Sequence, residues 1–519
     1  MENESRIKKS LRNIAFGLGG QLLSVLLSFA CRTLFISLLG TAYLGVSGLF
    51  SNILSVLSLA ELGVGSAITY SMYRPLAEKD NKQLHSLMHL YASIYRVIGC
   101  IVAVLGLLLI PFLDNIVKEH PNIDHLEIIY VMFLANSVVS YFFAYKATII
   151  IADQKKYITA IYEYGFNILQ YVVQMGVLFC TRNFLLYLFV QILCSFFYNY
   201  FISKQADKLY PFLKQNKPEK LDPATKKTIY KNIGAMVAHK IGGVVRISTD
   251  NILISMYVGV YWVGLYSNYS LIIDIVDKFL GQIFSAVSAS IGNLNAQESK
   301  EKSYQVFTTA YFINFWLYGL STVCFFVLFR PFITIWIGSQ YTMADSVILI
   351  IVMNFYVVGM RKMVLAYRDS LGLFWNDRYK PVFEATINLG ASLFLVQKIG
   401  ITGVFWGTFI SFMTTCFWIE PYILYKHGFK KKVWIHFAKY VIYAGITCLA
   451  VFLTQLACSI FTTYTLSNFV GRAIFCLLIP NIIFAVLFFK TKEFKNLYSI
   501  VSNVITSLYN RRNKTVTKI

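Results

Sequence analysis

Residues 34–80 read LFISLLGTAYLGVSGLFSNILSVLSLAELGVGSAITYSMYRPLAEKD. As far as Tyr70 the segment holds one charged residue, Glu61, and then Arg74, Glu78, Lys79 and Asp80 close it. The same pattern returns 219 positions later: Gly40 falls on Gly259, Tyr43 on Trp262, Gly45 on Gly264 and Ser51 on Ser270. Ser66-Ala67 then meets Ser285-Ala286, Ser71 meets Ser290 and Ala77 meets Ala296. Upstream, Arg12-Asn13-Ile14 meets Lys231-Asn232-Ile233, so the register holds without a gap over about seventy residues. At a shift of 222, Ala144-Tyr145-Lys146 meets Ala366-Tyr367-Arg368 and Lys156-Tyr157 meets Arg378-Tyr379; at 221, Glu163 meets Glu384 and Asn167 meets Asn388.

The composition agrees with an apolar repeat. Of 519 residues, 57% are hydrophobic and 14% charged, and the mean hydropathy is +0.59. A soluble chain is nearer ~25% charged. The apolar residues come in long blocks, which excludes a soluble enzyme, a disordered chain and a disulfide scaffold. A membrane-spanning helix needs about 20 apolar residues. Fourteen blocks qualify: 14–39, 44–70, 91–113, 127–151, 158–180, 184–202, 233–258, 263–291, 306–329, 347–371, 381–397, 403–425, 437–459 and 471–489. The expected fold is therefore an all-α polytopic membrane protein. The nine cysteines are scattered without a C-x-x-C pair, and His85 and His89 have no third ligand nearby, so no metal site is expected.

Basic residues set the orientation. The termini and alternate loops carry 32 of the 47 Lys and Arg, whereas the opposite loops hold only Lys118, Arg182, Arg330 and Lys398. Both termini are expected in the cytoplasm. The net charge of +22 is thus a topology signal, and no nucleic-acid partner is expected. Six spans per repeat is an even number, so the halves would enter the membrane in the same direction, around a central cavity. The expected organisation is a six-helix lobe at 1–202, a basic linker at 203–232, a second lobe at 233–425, a helix pair at 437–489 and a basic tail at 490–519. The tail reads as an amphipathic helix on the inner leaflet.

A base at the centre of a spanning helix costs about 2.5–3.5 kcal/mol, so such bases should face protein or a cavity. Arg32, Lys146, Lys240, Arg246, Lys278, Arg361, Lys362 and Arg368 are the deep ones, and all of these but Lys278 are candidates for contacting an anion. Lys146 and Glu163 lie about eight residues either side of one turn, as do Arg368 and Glu384 of another. At 1.5 Å per residue each pair shares one depth, so two symmetry-related ion pairs are expected. Arg246 and Asp250, at i and i+4, form a third candidate pair. Glu61, Asp250 and Asp274 are candidate carriers for coupled H⁺ or Na⁺, and no other cofactor is expected. Eleven in-span bases against eight acids leave a cationic excess, which fits phosphate and not a cationic drug.

The segment 34–80, together with VGVYWVGLYSNYSLI at 258–272, resembles the Wzx-type polysaccharide flippases of the multidrug/oligosaccharidyl-lipid/polysaccharide (MOP) exporter superfamily. The resemblance implies a MATE-like fold and a bacterial cytoplasmic-membrane location. It implies outward flipping of a polyprenyl-diphosphate-linked oligosaccharide for surface polysaccharide assembly, with bases lining the cavity and spans 13–14 helping to hold the lipid tail. Polysaccharide polymerase and glycosyltransferases are the implied partners of a monomeric, non-enzymatic carrier. A lipid II flippase and a cation-coupled drug extruder are the alternatives in the same superfamily.

Overall fold

The computed structural model describes residues 6–58, 61–117, 123–153, 155–214, 248–297, 299–371 and 376–499, with a few isolated residues between these stretches. In chain order the first helices are α1 (Arg6–Leu39), α2 (Thr41–Leu57), α3 (Glu61–Glu78), α4 (Asn81–Leu108), α5 (Leu126–Phe143), α6 (Tyr145–Ala152), α7 (Lys156–Thr181) and α8 (Phe184–Leu209). They are followed by α9 (Val260–Gln297), α10 (Lys300–Trp336), α11 (Asp345–Ser370), α12 (Lys380–Ile399), α13 (Ile401–Thr414), α14 (Cys416–Ile423), α15 (Trp434–Cys458) and α16 (Leu466–Phe488). Thirteen of the expected blocks fall on these helices or on consecutive pairs of them. The block 233–258 lies mostly outside the described residues, with 248–257 helical. Among the described residues ten helices are long and apolar enough to cross a membrane.

Local chemistry sets the ends. Gly40, at φ 82°, separates α1 from α2, and Gly400, at φ 59°, separates α12 from α13; both conformations strain any residue with a β-carbon. Asp80 accepts from the Gln83 amide at 2.9 Å to cap α4, and Asn183 accepts from Leu186 at 3.1 Å to cap α8. After α14 the chain widens into a π-helical turn over Leu424–Phe429, closed by Lys431 N–H donating to the Tyr425 carbonyl at 3.0 Å.

Contacts divide the chain into two units, Met1–Ser267 and Asn268–Ile519. In the first, α4 packs on α5, α7 on α8 and α5 on α8, with α1 along α7. In the second the corresponding helices pair alike: α10 on α11, α12 on α13 and α11 on α13. The repeat is therefore one of packing as well as of sequence. The helix pair α15–α16 is added to the second unit against α10. There Phe315 stacks on Tyr443 with centroids 4.2 Å apart and meets Phe484 at 4.9 Å. Trp316 Nε1 donates to Asn481 Oδ1 at 2.6 Å. The outer face of α16 shows Ile474, Leu478, Ile482 and Val486, four residues apart and all exposed. Water would not tolerate a stripe of that kind in a monomer; hydrocarbon does.

The tail is in part helical, as expected, and it also touches protein. Its described residues 492–499 are helical and dock on protein, Asn496 Nδ2 donating to Thr309 Oγ1 at 3.1 Å and Lys439 Nζ to Glu493 Oε1 at 2.6 Å.

Candidate functional site

The second unit holds a buried charge cluster built by α11, the turn before α12, α12 and α14. Arg361 on α11 grips Glu420 on α14 from two sides, Nε donating to Oε1 and Oε2 at 2.9 and 2.7 Å and Nη2 to Oε1 at 2.6 Å. Lys380, the first residue of α12, donates to the same Glu420 Oε1. Glu384, one helical turn along α12, faces Lys380 Nζ at 3.8 Å and Arg361 Nη1 at 3.5 Å. Arg368, two turns past Arg361, pairs with Asp377 and with Asp369, and its Nη1 stands 4.0 Å from Glu420 Oε1. The side chains of Glu420, Lys380 and Glu384 are all but sealed from solvent, at 1%, 4% and 6% exposure.

Three bases, Arg361, Lys380 and Arg368, thus face three buried acids, Glu384, Glu420 and Asp377, while the exposed Asp369 meets Arg368 at the rim. The charges inside the cluster balance. Such a network recovers the cost of desolvating each charge only while every member keeps its partners. Beside it lies a cavity of about 20 Å³, bordered by Arg361, Glu420, Tyr311, His436 and Tyr440. Among the described residues the Tyr311 and Tyr440 hydroxyls and His436 Nδ1 face no hydrogen-bond partner. A polar void of that size holds one water molecule.

The two expected ion pairs take other partners. Lys146 Nζ donates to Asp207 Oδ1 and Oδ2 on α8 at 2.7 and 2.8 Å, while Glu163 lies on the exposed face of α7. Arg368 meets Asp377 and Asp369, and Glu384 goes to Arg361 and Lys380. Equal distance from a turn sets depth but leaves the rotation of each helix free, and rotation chose the partners. Lys362 Nζ donates to Asp277 Oδ2 at 2.9 Å, and the Tyr318 hydroxyl donates to Oδ1 of that carboxylate at 2.8 Å. Arg32 donates to the Ser267 hydroxyl. Lys240 and Arg246 lie outside the described residues; Asp250 is buried and Asp274 exposed. Of the partners that sequence reasoning did not nominate, Lys380 carried a local signal in its i, i+4 spacing from Glu384, and Asp369 in standing next to Arg368. Asp207 and Glu420 are far along the chain from the bases they meet.

In the first unit Glu61 opens α3 and accepts from the Tyr95 hydroxyl at 3.0 Å. Tyr91 donates to Tyr95 at 3.0 Å, Thr148 to Tyr91 at 3.3 Å, and Tyr141 to Ser58 at 2.7 Å. Among the described residues, the hydrogen bond to the Glu61 carboxylate comes from a tyrosine hydroxyl and not from a base.

Lipid-facing stripes outside and ion-paired helices inside define a polytopic helical membrane protein, and its helix arrangement is that of the MATE-like transporters. Residues 18–175 match the MatE family. No curated protein matches the sequence. Among solved structures the chain is similar to the lipid II flippase MurJ in an inward closed conformation, with 14% identity and a TM-score of 0.65 over 92% of this chain and 99% of that one. It is also similar to an inward-facing multidrug resistance MATE transporter of the MOP superfamily, with 15% identity and a TM-score of 0.62 over 79% of this chain and 97% of that one. A Vibrio cholerae MATE transporter aligns with 13% identity and a TM-score of 0.56 over 82% of this chain and 98% of that one. At these identities the shared property is the fold.

Proposed function

We propose that this protein flips a polyprenyl-diphosphate-linked oligosaccharide from the cytoplasmic to the outer leaflet of a bacterial cytoplasmic membrane, by alternating access between its repeats. The observation that carries the reading is the α15–α16 pair. The likeness to a flippase of a lipid-linked saccharide covers 92% of the chain, against 79% and 82% for the two multidrug-type transporters. The difference is about the length of that pair, and a substrate with a long lipid tail gives an added helix pair a purpose that a small drug does not. The diphosphate carries about two negative charges, and each one moved outward across 100 mV, inside negative, releases about 2.3 kcal/mol.

The neutral cluster enters this reading as a lock. Arg361 and Arg368 are held by Glu420, Asp377 and Asp369, so a diphosphate reaches them only by displacing carboxylates. Lys146, Lys362 and Arg32, with Lys240 and Arg246, remain the other candidate contacts of the substrate, and Glu61 with its ring of tyrosines is the candidate for H⁺ coupling.

The test is reconstitution of the purified chain in liposomes carrying a fluorescent undecaprenyl-diphosphate oligosaccharide in one leaflet, with a membrane-impermeant quencher. Protein-dependent loss of protected fluorescence is expected, with none for a fluorescent phosphatidylcholine. Lipid II in the same assay reports the substrate's sugar class. Extrusion of a cationic dye without movement of either diphosphate lipid overturns the proposal.

A further inference from the structure

The π-helical turn after α14 and the start of α15 enclose a second feature, separate from the buried cluster. A hollow of about 470 Å³ is lined by Lys426, Lys430, Lys431 and Lys432 with Tyr422 and Trp434, and among the described residues its lining includes no acid. Directly beside it runs an open groove of about 630 Å³ along Trp418, Ile419, Ile423 and Phe437. Tyr422, Val433 and Trp434 line both. The basic end and the apolar groove therefore form one continuous surface. Trp434 is 71% exposed and Trp418 48%, large rings left uncovered at the level where basic loops leave the helices.

The local backbone arranges this. The extra residue of the π turn and Lys430 at φ 56° reverse the chain within a few residues, so consecutive lysines fan out around the hollow. Lys426 Nζ donates to the Tyr422 hydroxyl at 2.7 Å and lies over its ring, and Lys431 lies 4.9 Å from the Tyr304 ring centroid. These aromatic contacts hold two ammonium groups in place without neutralising them. Lysines gathered in this way repel one another, and a bound anion relieves that repulsion.

We propose that this surface is a binding site for one anionic diacyl phospholipid of the inner leaflet, its phosphate among Lys426, Lys430 and Lys432 and an acyl chain in the groove along Trp418, Ile419 and Phe437. Three features select this occupant. The basic end matches a phosphate, as basic pockets between helices at the cytoplasmic surface do. The groove has the size of a ligand site and takes hydrocarbon. The two exposed tryptophans sit where indole rings favour the headgroup boundary. A soluble anion would use the lysines and leave the groove empty; an acidic peptide would find no second polar wall.

The experiment uses the full chain in detergent, titrated with phosphatidylglycerol brominated on its acyl chains, with tryptophan fluorescence as readout. Saturable quenching is expected, absent with brominated phosphatidylcholine. Lys430→Glu with Lys432→Glu should weaken the apparent affinity roughly tenfold, at an unchanged thermal midpoint. Trp434→Phe should remove a distinct part of the quenching amplitude. Equal quenching by both lipids, or a charge-reversed variant that binds phosphatidylglycerol as before, overturns the proposal and leaves ordinary boundary lipid. Glycerol-1-phosphate that competes as strongly as the intact lipid also overturns it, since the groove then contributes nothing. None of these readouts depends on substrate flipping, so the proposed function and this site fail separately.

Discussion

Gly45 and Gly264 stand 219 positions apart in the chain and face each other across one helix crossing. A β-carbon on Gly45 would lie 2.1 Å from the Val260 carbonyl oxygen, and one on Gly264 would lie 2.2 Å from the Thr41 carbonyl oxygen. Thr41 and Val260 are separated by the same 219 positions, so the contact maps onto itself when the repeat is applied. Each small residue lies four positions after its partner's contact point, the spacing that lets helix backbones touch in a membrane.

That closeness makes a prediction for the glycines. Gly45→Ala or Gly264→Ala forces backbone apart and should cost about 1–3 kcal/mol each, read as a lowered thermal midpoint in detergent. The double variant should cost less than the sum, because one separation relieves both clashes. Fully additive losses would mean that the two sites do not share the crossing.

Glu420 is the shared acceptor of the buried cluster, taking donors from Arg361 and Lys380. Glu420→Gln leaves two buried bases short of a counter-charge and should destabilise by about 3–5 kcal/mol. Exchanging Arg361, Lys380, Glu384 and Glu420 together for apolar residues of similar volume, Arg361→Met and Lys380→Met with Glu384→Leu and Glu420→Leu, leaves Arg368 with Asp377 and Asp369 and should recover most of the thermal midpoint. Under the proposed function the exchanged protein folds but flips poorly. Full flipping by it would reduce the cluster to a structural tie.

Lys146 and Asp207 bridge α6 and α8 in the first unit. Lys146→Asp alone should lower the thermal midpoint, and adding Asp207→Lys should restore it. Flipping should stay down about tenfold in the swapped protein, equivalent to 1.4 kcal/mol of lost stabilisation in transport, because the base has moved to another helix. Restored transport would show that Lys146 serves packing alone.

Docking of the tail depends on pH through Glu493. Partial burial pushes its carboxyl up, but the hydrogen bond from the Lys439 ammonium outweighs this and holds it below the usual glutamate range. A depressed carboxyl stabilises the docked form above its ordinary pKa and loses that contribution as pH falls through the lowered value. Hydrogen exchange at residues 492–499 should therefore speed up, relative to the intrinsic rate, on acidification below about pH 4.3. Glu493→Gln should show the faster exchange at every pH. A pH-independent difference in the wild type would remove Glu493 from the docking energy.

The spans were readable in the sequence because hydrophobic length is a local property, and lipid leaves the backbone no alternative to a helix. The repeat was readable because equivalent positions such as Gly45 and Gly264 keep their residue type under one shift. The choice of ion partners was not. Arg361 reaches Glu420 across 59 positions and Lys146 reaches Asp207 across 61. Those meetings depend on how far each helix is rotated about its axis, which is decided by packing against several neighbours at once. The neutrality of the cluster follows from the same cause: counting charges per span predicts a cationic excess, but burial draws acids from the span ends and turns, such as Asp207 and Asp377, toward each base. Hydropathy and register are written residue by residue along the chain, whereas pairing inside the membrane is a property of helices already assembled.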